Sequence, residues 1–353
     1  MTGRFRDESM LRDGAKDGLI PTRSLDLSKI HDLDDLLRQM SHTAFSGRSL
    51  GEAADILEKM VLDPDCWVVL TLSGAMTVGK MGLVICDMIE SKMIQAIVAT
   101  GALITHGLVE TQGMLHYKYD PSMNDTQLYE AGYNRVYDTL EMERNLDDTE
   151  RLVSKLLWDW DPTMPLASVT ISRELGRHLA QLDPNCRGVL KSAFEHEVPI
   201  YIPAFTDSEL GLDVGIHLRR RKRQNLAPLF FDSYFDLDDF TDRVIRQSML
   251  GIVTIGGGVP RNWAQQVGPY LDILNKRLRT DEFPMRRYQY GIRICPEPVH
   301  WGGLSGCTYS EGVSWGKFVP HAEGGRWAEV YADATVAWPL LIGAVKQRLS
   351  KRR

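Results

Sequence analysis

The sequence predicts an α/β protein built on a Rossmann-like, doubly wound parallel sheet with an N-terminal helical extension. Three observations predict it. Short apolar, β-rich runs alternate with helical spans along the chain. The runs are continuously apolar, as strands covered on both faces are. They also end in glycine or small-residue turns, the pattern of strands feeding crossover helices.

Taken in order, residues 1–28 are polar and charged and read as a leader. Leu33, Leu36, Leu37 and Met40 repeat with a period near 3.6 and predict a first helix. Leu50, Ala53, Ala54, Leu57 and Met60 predict a second, with Ser49 as its N-cap. A strand over 67–72 ends at Ser73-Gly74, a helix follows over 81–91, and a second strand over 94–99 ends at Thr100-Gly101-Ala102. Further strands are predicted over 198–202, over 252–255 before Gly256-Gly257-Gly258, and over 290–294, with a last helix over 336–349. No internal repeat or low-complexity tract divides the chain, so residues 29–353 read as a single catalytic domain.

Composition narrows the functions open to it. A net charge of -6 gives no reason to expect a general nucleic-acid binder and suits a cationic substrate. No apolar run is long enough to span a bilayer, and the first residues lack the apolar core of a secretory signal. Five scattered cysteines without CxxC spacing read as reduced thiols of a cytoplasmic protein. None of the nine histidines has HxxxH or HxH spacing, so spacing lends no support to a metal site. The run Arg219-Arg220-Arg221-Lys222-Arg223 reads as a solvated loop or as a grip for an acidic partner.

The chemistry is expected beyond the carboxyl ends of the strands, where ligands of doubly wound sheets bind. Gly256-Gly257-Gly258, before a helical stretch near Asn262, could cradle a pyrophosphate or form a tight turn; Arg261 occupies the third glycine position of the full fingerprint. Asp207 follows a strand and could accept from ribose hydroxyls, bind an ammonium, or cap the next helix. Asp333, before the last helix, carries the capping alternative too. Lys317 stands in Glu311-Gly312-Val313-Ser314-Trp315-Gly316-Lys317, beside an aromatic residue and after a glycine. A lysine of ordinary pKa is almost wholly protonated at neutral pH, so a nucleophilic role requires surroundings that depress that value. Trp315 could wall such a pocket or face a substrate ammonium. An exposed loop lysine is the other reading.

Together these segments resemble deoxyhypusine synthase, over about residues 43–349. The most specific match runs from Glu311 to Lys317. Thr100-Gly101, Asn134-Arg135, Thr206-Asp207, Gly256-Gly257-Gly258 and Tyr331-Ala332-Asp333-Ala334 follow in that family's order. The resemblance implies a cytoplasmic, NAD-dependent homotetramer with sites between paired subunits. It implies that spermidine is oxidised to an imine, that 1,3-diaminopropane leaves, and that Lys317 holds the aminobutyl group before it passes to a lysine of the hypusine-bearing translation factor. Ser73, Thr77, Thr100, Gly101, Ala102, Asp207, Gly257, Asp333 and Ala334 would line the NAD site, and Glu311, Trp315 and Lys317 the polyamine site.

Departures fall on the polyamine side. Asn262-Trp263 replaces a histidine pair, Thr105-His106 an acidic pair, and Leu304 and Leu212 acidic positions, with Asp213 or Glu297 placed to compensate. Loss of carboxylates that pair with ammonium groups changes which amine binds. Putrescine as acceptor, giving homospermidine, is therefore a second expectation, and a non-catalytic NAD-binding scaffold a third. The leader is expected to cover the site entrance, as in eukaryotic relatives.

Overall fold

The structure, a computed structural model, describes residues 8–352. Nine strands are present in it: β1 Cys66–Leu72, β2 Ala96–Ala99, β3 Tyr117–Lys118, β4 Tyr133–Val136, β5 Thr139–Met142, β6 Ile200–Tyr201, β7 Met249–Ile255, β8 Tyr288–Ile294 and β9 Arg326–Val330. Six of them form one parallel sheet in the order β6-β2-β1-β7-β8-β9. The chain builds outward from β1 to β2 and β6, then returns to the other side of β1 for β7, β8 and β9. The order thus reverses between β1 and β7, the switch point where a doubly wound sheet opens a crevice.

The register aligns the strand ends. Leu72 pairs with Ala99 on one side and Ile255 on the other, Ile255 with Ile294, and Ile294 with Val330. Five strands therefore stop at one level, and the turns after them share one edge. Successive side chains alternate between the sheet faces, so Leu70, Leu72, Val253 and Ile255 join one core and Val69, Ile252 and Leu250 the other. Helices cover both faces, which is why these strands carry no polar alternation.

Several elements differ from the expected bounds. The second helix is Phe45–Leu62, so Ser49 lies inside it; Ala44 precedes it without a side-chain cap. The helix after β7 is Gly258–Gln265 and opens at the glycine turn itself. The basic run is the end of the helix Glu209–Arg223 and not a loop. Cations are stabilised at a helix C-terminus, Arg220 pairs with Glu150, and Arg221 donates to the Ala227 carbonyl. β9 and the small antiparallel sheet β3-β5-β4 had no counterpart in the sequence reading. Asn134 and Arg135 lie on β4, where Arg135 pairs with Asp125 at 2.6 Å.

The helix Ala334–Ser350 is tied to the first helices by a buried ionic cluster. Arg348 is fully buried and donates to Asp34 at 2.6 Å, Asp55 at 2.8 Å and Glu58 at 3.3 Å. Lys351 adds pairs to Asp32 and Asp34. A buried arginine is stable only when so paired. Of the leader, residues 1–7 lie outside the described residues. Residues 8–25 are exposed, and Arg23 N–H donates to the His42 carbonyl. Among the described residues no helix is long and apolar enough to cross a membrane.

Candidate active site

The strand-end turns are bonded to one another. Ser73, after β1, accepts from the Gly257 N–H at 2.9 Å and spans the switch point. Thr100 Oγ1, after β2, donates to the Gly74 carbonyl at 2.6 Å and caps the helix Gly101–Thr111. Buried Thr77 donates to the Leu103 carbonyl at 2.7 Å, fastening the loop after β1 to that helix. Two helix N-termini, at Gly101 and Gly258, therefore open on the same edge, with free N–H groups suited to an anion.

The glycines there are required by space. A Cβ on Gly257 would stand 2.5 Å from Ser305 Cα, and one on Gly101 2.2 Å from Ser208 Oγ. Gly256 has φ +78°, and its Cβ would meet Ser73 Oγ at 2.0 Å. Asp207 is exposed, and the following helix is capped by Ser208. Capping therefore does not account for Asp207. Asp333 does cap its helix, accepting from Thr335 N–H at 2.9 Å. Ala102 and Ala334 occupy the first turns of their helices.

Lys317 lies on the helical flank of β8. The helix Tyr309–Ser314 ends in Trp315 and then Gly316, whose φ of +70° turns the chain. The Lys317 carbonyl accepts from Tyr288 N–H at 2.9 Å, and Val319 N–H donates back to Tyr288, so the backbone is splinted to the start of β8. The side chain is half-buried and its Nζ donates to Asn262 Oδ1 at 2.9 Å. Burial lowers the Lys317 pKa and Arg261 lowers it further, against opposing pulls from Cys307 and Glu311. The Trp315 ring centroid lies 6.0 Å from Nζ.

Arg261 links the two regions. It is buried and donates to the carbonyls of Ser305 at 3.2 Å and Cys307 at 2.6 Å. Ser305 packs on Gly257, and Cys307 faces Lys317 electrostatically. The lysine and the glycine turn thus share one wall. The sequence reading used Arg261 only as a missing glycine, and neither Ser305 nor Cys307 carried a motif that could have found it.

Two expected polyamine residues make no hydrogen bond to Lys317. Asp213 is buried inside the helix Glu209–Arg223; burial first, then Glu209 and Glu150, raise its pKa to about 7. His106 bonds Glu141 at 3.0 Å. Neither hydrogen-bonds Lys317 or Asn262. Glu297, after β8, lies against Gly303. Although spacing lent no support to a metal site, the fold places His116 and Glu141 beside His106.

The profile of the deoxyhypusine synthase family matches residues 35–345. The chain belongs to the deoxyhypusine synthase family. It is 33% identical over 337 residues to the probable deoxyhypusine synthase 2 of Methanosarcina acetivorans, covering 93% of this chain and 90% of that protein. It is 31% identical over 312 residues to a deoxyhypusine synthase-like protein of Coxiella burnetii, covering 88% and 84%. The crystal structure of a candidate deoxyhypusine synthase from Entamoeba histolytica shares the fold, with a TM-score of 0.59 at 16% identity over 91% of this chain and 96% of that one. The family implies a transferase, and the parallel sheet agrees with the expected fold class.

Proposed function

We propose that this deoxyhypusine synthase family member is an NAD-dependent aminobutyl transferase with Lys317 as the covalent carrier. The observation that carries the reading is Lys317 itself: half-buried, depressed in pKa, bonded to a neutral amide, and sharing the Arg261–Ser305 wall with the glycine turn. A glycine cradle that any Cβ would fill, flanked by two helix N-termini at a switch point, fits a dinucleotide. Ser73, Thr77, Thr100, Gly101, Ala102, Gly257 and Ala334 would hold it, with Asp207 and Asp333 as carboxylates for its hydroxyls. When bound, NAD supplies the hydride acceptor and later the donor.

The chain's own residues do the rest. Lys317 attacks as the free amine, which its desolvation favours. Its nitrogen adds to the carbon of the substrate imine, and the diaminopropane nitrogen leaves with a proton. The aminobutyl group is then held on Nζ as an imine until an acceptor amine displaces it by the same exchange. Asn262 Oδ1 orients Nζ without the charge that would fix it as ammonium. Trp315 offers a ring face, and Glu311 a carboxylate, to the substrate's cationic end.

Trp315, Val259, Leu304 and Trp301 are exposed apolar side chains. That surface supports assembly against a second subunit and is the basis for proposing a homotetramer. The acceptor is a protein lysine in the first reading. Neutral Asn262 beside the lysine, and Leu304 at a position acidic in the family, favour putrescine as the second, with homospermidine as product. Incubation with NAD, spermidine and putrescine, without protein acceptor, separates them. Homospermidine together with 1,3-diaminopropane at a turnover rate supports the second reading, and diaminopropane alone the first. Neither product, with the fold intact, refutes the transferase.

A further inference from the structure

A buried donor cluster shares no hydrogen bond with the lysine. It joins the helix Gly101–Thr111, the residue before β3 and strand β5. Glu141 Oε2 lies 3.0 Å from His106 Nδ1 and 2.6 Å from His116 Nε2, and the three donor atoms all fall within 4.8 Å of one another. The side chains of His116 and Glu141 are fully buried, and that of His106 is 17% exposed. Asn145 Nδ2 holds the other carboxylate oxygen at 2.6 Å, leaving Oε2 aimed at the imidazoles. Despite its short distance from Oε2, His116 Nε2 makes no aligned hydrogen bond.

We propose that His106 Nδ1, His116 Nε2 and Glu141 Oε2 form a site for a divalent cation of the zinc type, with a water in the fourth position on the exposed side of His106. Two imidazoles and one carboxylate are the donor set of open zinc sites, and imidazole selects zinc, cobalt or nickel over magnesium or calcium. Ligands about 2.0–2.1 Å from a tetrahedral ion stand about 3.3 Å apart, so on binding Glu141 Oε2 would move about 0.7 Å further from His116 Nε2 and about 0.3 Å further from His106 Nδ1. Asn145 is the partner that fixes the carboxylate, the second-sphere support that metal sites need.

Lys80 sets the competition. Its Nζ lies 2.9 Å from His116 Nδ1 and 3.2 Å from Glu110. An ammonium there donates to Nδ1, which places the ring proton on Nε2. Metal binding requires the opposite tautomer, so Lys80 turns to Glu110 as the ion enters. The ion would pin the small antiparallel sheet to the helix that carries Thr100 and Gly101. The assignment does not depend on the proposed transferase activity.

The test uses the full chain without a polyhistidine tag, stripped with chelator and titrated with Co2+ alone. One equivalent is expected to bind with visible ligand-field bands of a four- or five-coordinate ion, and Zn2+ to abolish them. His106→Gln and Glu141→Gln should each weaken binding at least tenfold, and Lys80→Met should tighten it severalfold, which a cluster held only by hydrogen bonds would not do. Absence of saturable binding at one equivalent overturns the proposal. So does unchanged binding in His106→Gln, the least buried of the three positions, whose fold is checked by circular dichroism. If Glu141→Gln does not fold, His106→Gln and Lys80→Met decide.

Discussion

Lys317 Nζ lies 2.9 Å from Asn262 Oδ1, and among the described residues it forms no salt bridge. The amide orients the amine without adding a countercharge to the pulls of Cys307 and Glu311. Asn262→Asp would add an anion at the same place, and an adjacent opposite charge favours the charged form by a unit or more. The rising limb of the pH–rate profile should move upward by about one unit, with a roughly tenfold loss of rate near pH 7. An unmoved limb would mean that Asn262 does not tune the lysine.

Lys317→Ala should lose transfer by several orders of magnitude while still binding NAD. Borohydride added during turnover should leave a covalent aminobutyl adduct on the parent protein, located by peptide mass mapping to Lys317. A parent with no adduct, or an adduct on a different lysine, would remove Lys317 from the carrier role.

Gly257→Ala forces a Cβ to within 2.5 Å of Ser305, at the wall shared with Arg261. NAD affinity measured by fluorescence should fall at least tenfold. Gly215→Ala, inside the helix Glu209–Arg223 with open space around it, serves as the control. It should leave affinity unchanged and add a few tenths to about 1 kcal/mol of stability.

Asp213 holds a proton up to about pH 7 when folded, against about 4 in an unfolded chain. Between those values the native state binds more protons, so stability falls as pH rises through that window. Asp213→Asn should raise Tm by a few degrees at pH 8, leave it little changed at pH 4, and flatten the profile between. Equal Tm at pH 8 would show that Glu150 and Arg220 rearrange to relieve the charge.

Removal of residues 1–28 tests the leader as a cover. Spermidine KM should change while the folded core, read by thermal melting, does not. Identical KM and kcat would leave the leader no part in catalysis.

The sheet was legible where apolar runs are long and two-faced, as at Leu70 and Val253. The edge was legible because Ser73, Thr100 and Gly256 punctuate it. β9 was not, because Arg326 and Glu329 make an edge strand with mixed polarity. Strands β3 and β4 are short and largely exposed, and β5 has only four residues, too few for a pattern to emerge. The basic run misled because charge alone does not separate a loop from the last turns of a helix. Lys317 was found by its unusual neighbours. Arg261 and the His116–Glu141 pairing were not, since they depend on contacts between segments that no spacing rule connects.

The cluster around Arg348 has a consequence for synthesis of the chain. Arg348 joins Asp34 across 314 positions, and β1 pairs with β7 across about 183. The helices Leu33–Met40 and Phe45–Leu62 leave the ribosome first, carrying Asp34, Asp55 and Glu58 toward a cation not yet made. Until the helix Ala334–Ser350 emerges, those carboxylates repel one another and the apolar face beside them stays uncovered. The nascent polypeptide can therefore complete this cluster only once its last helix has been made.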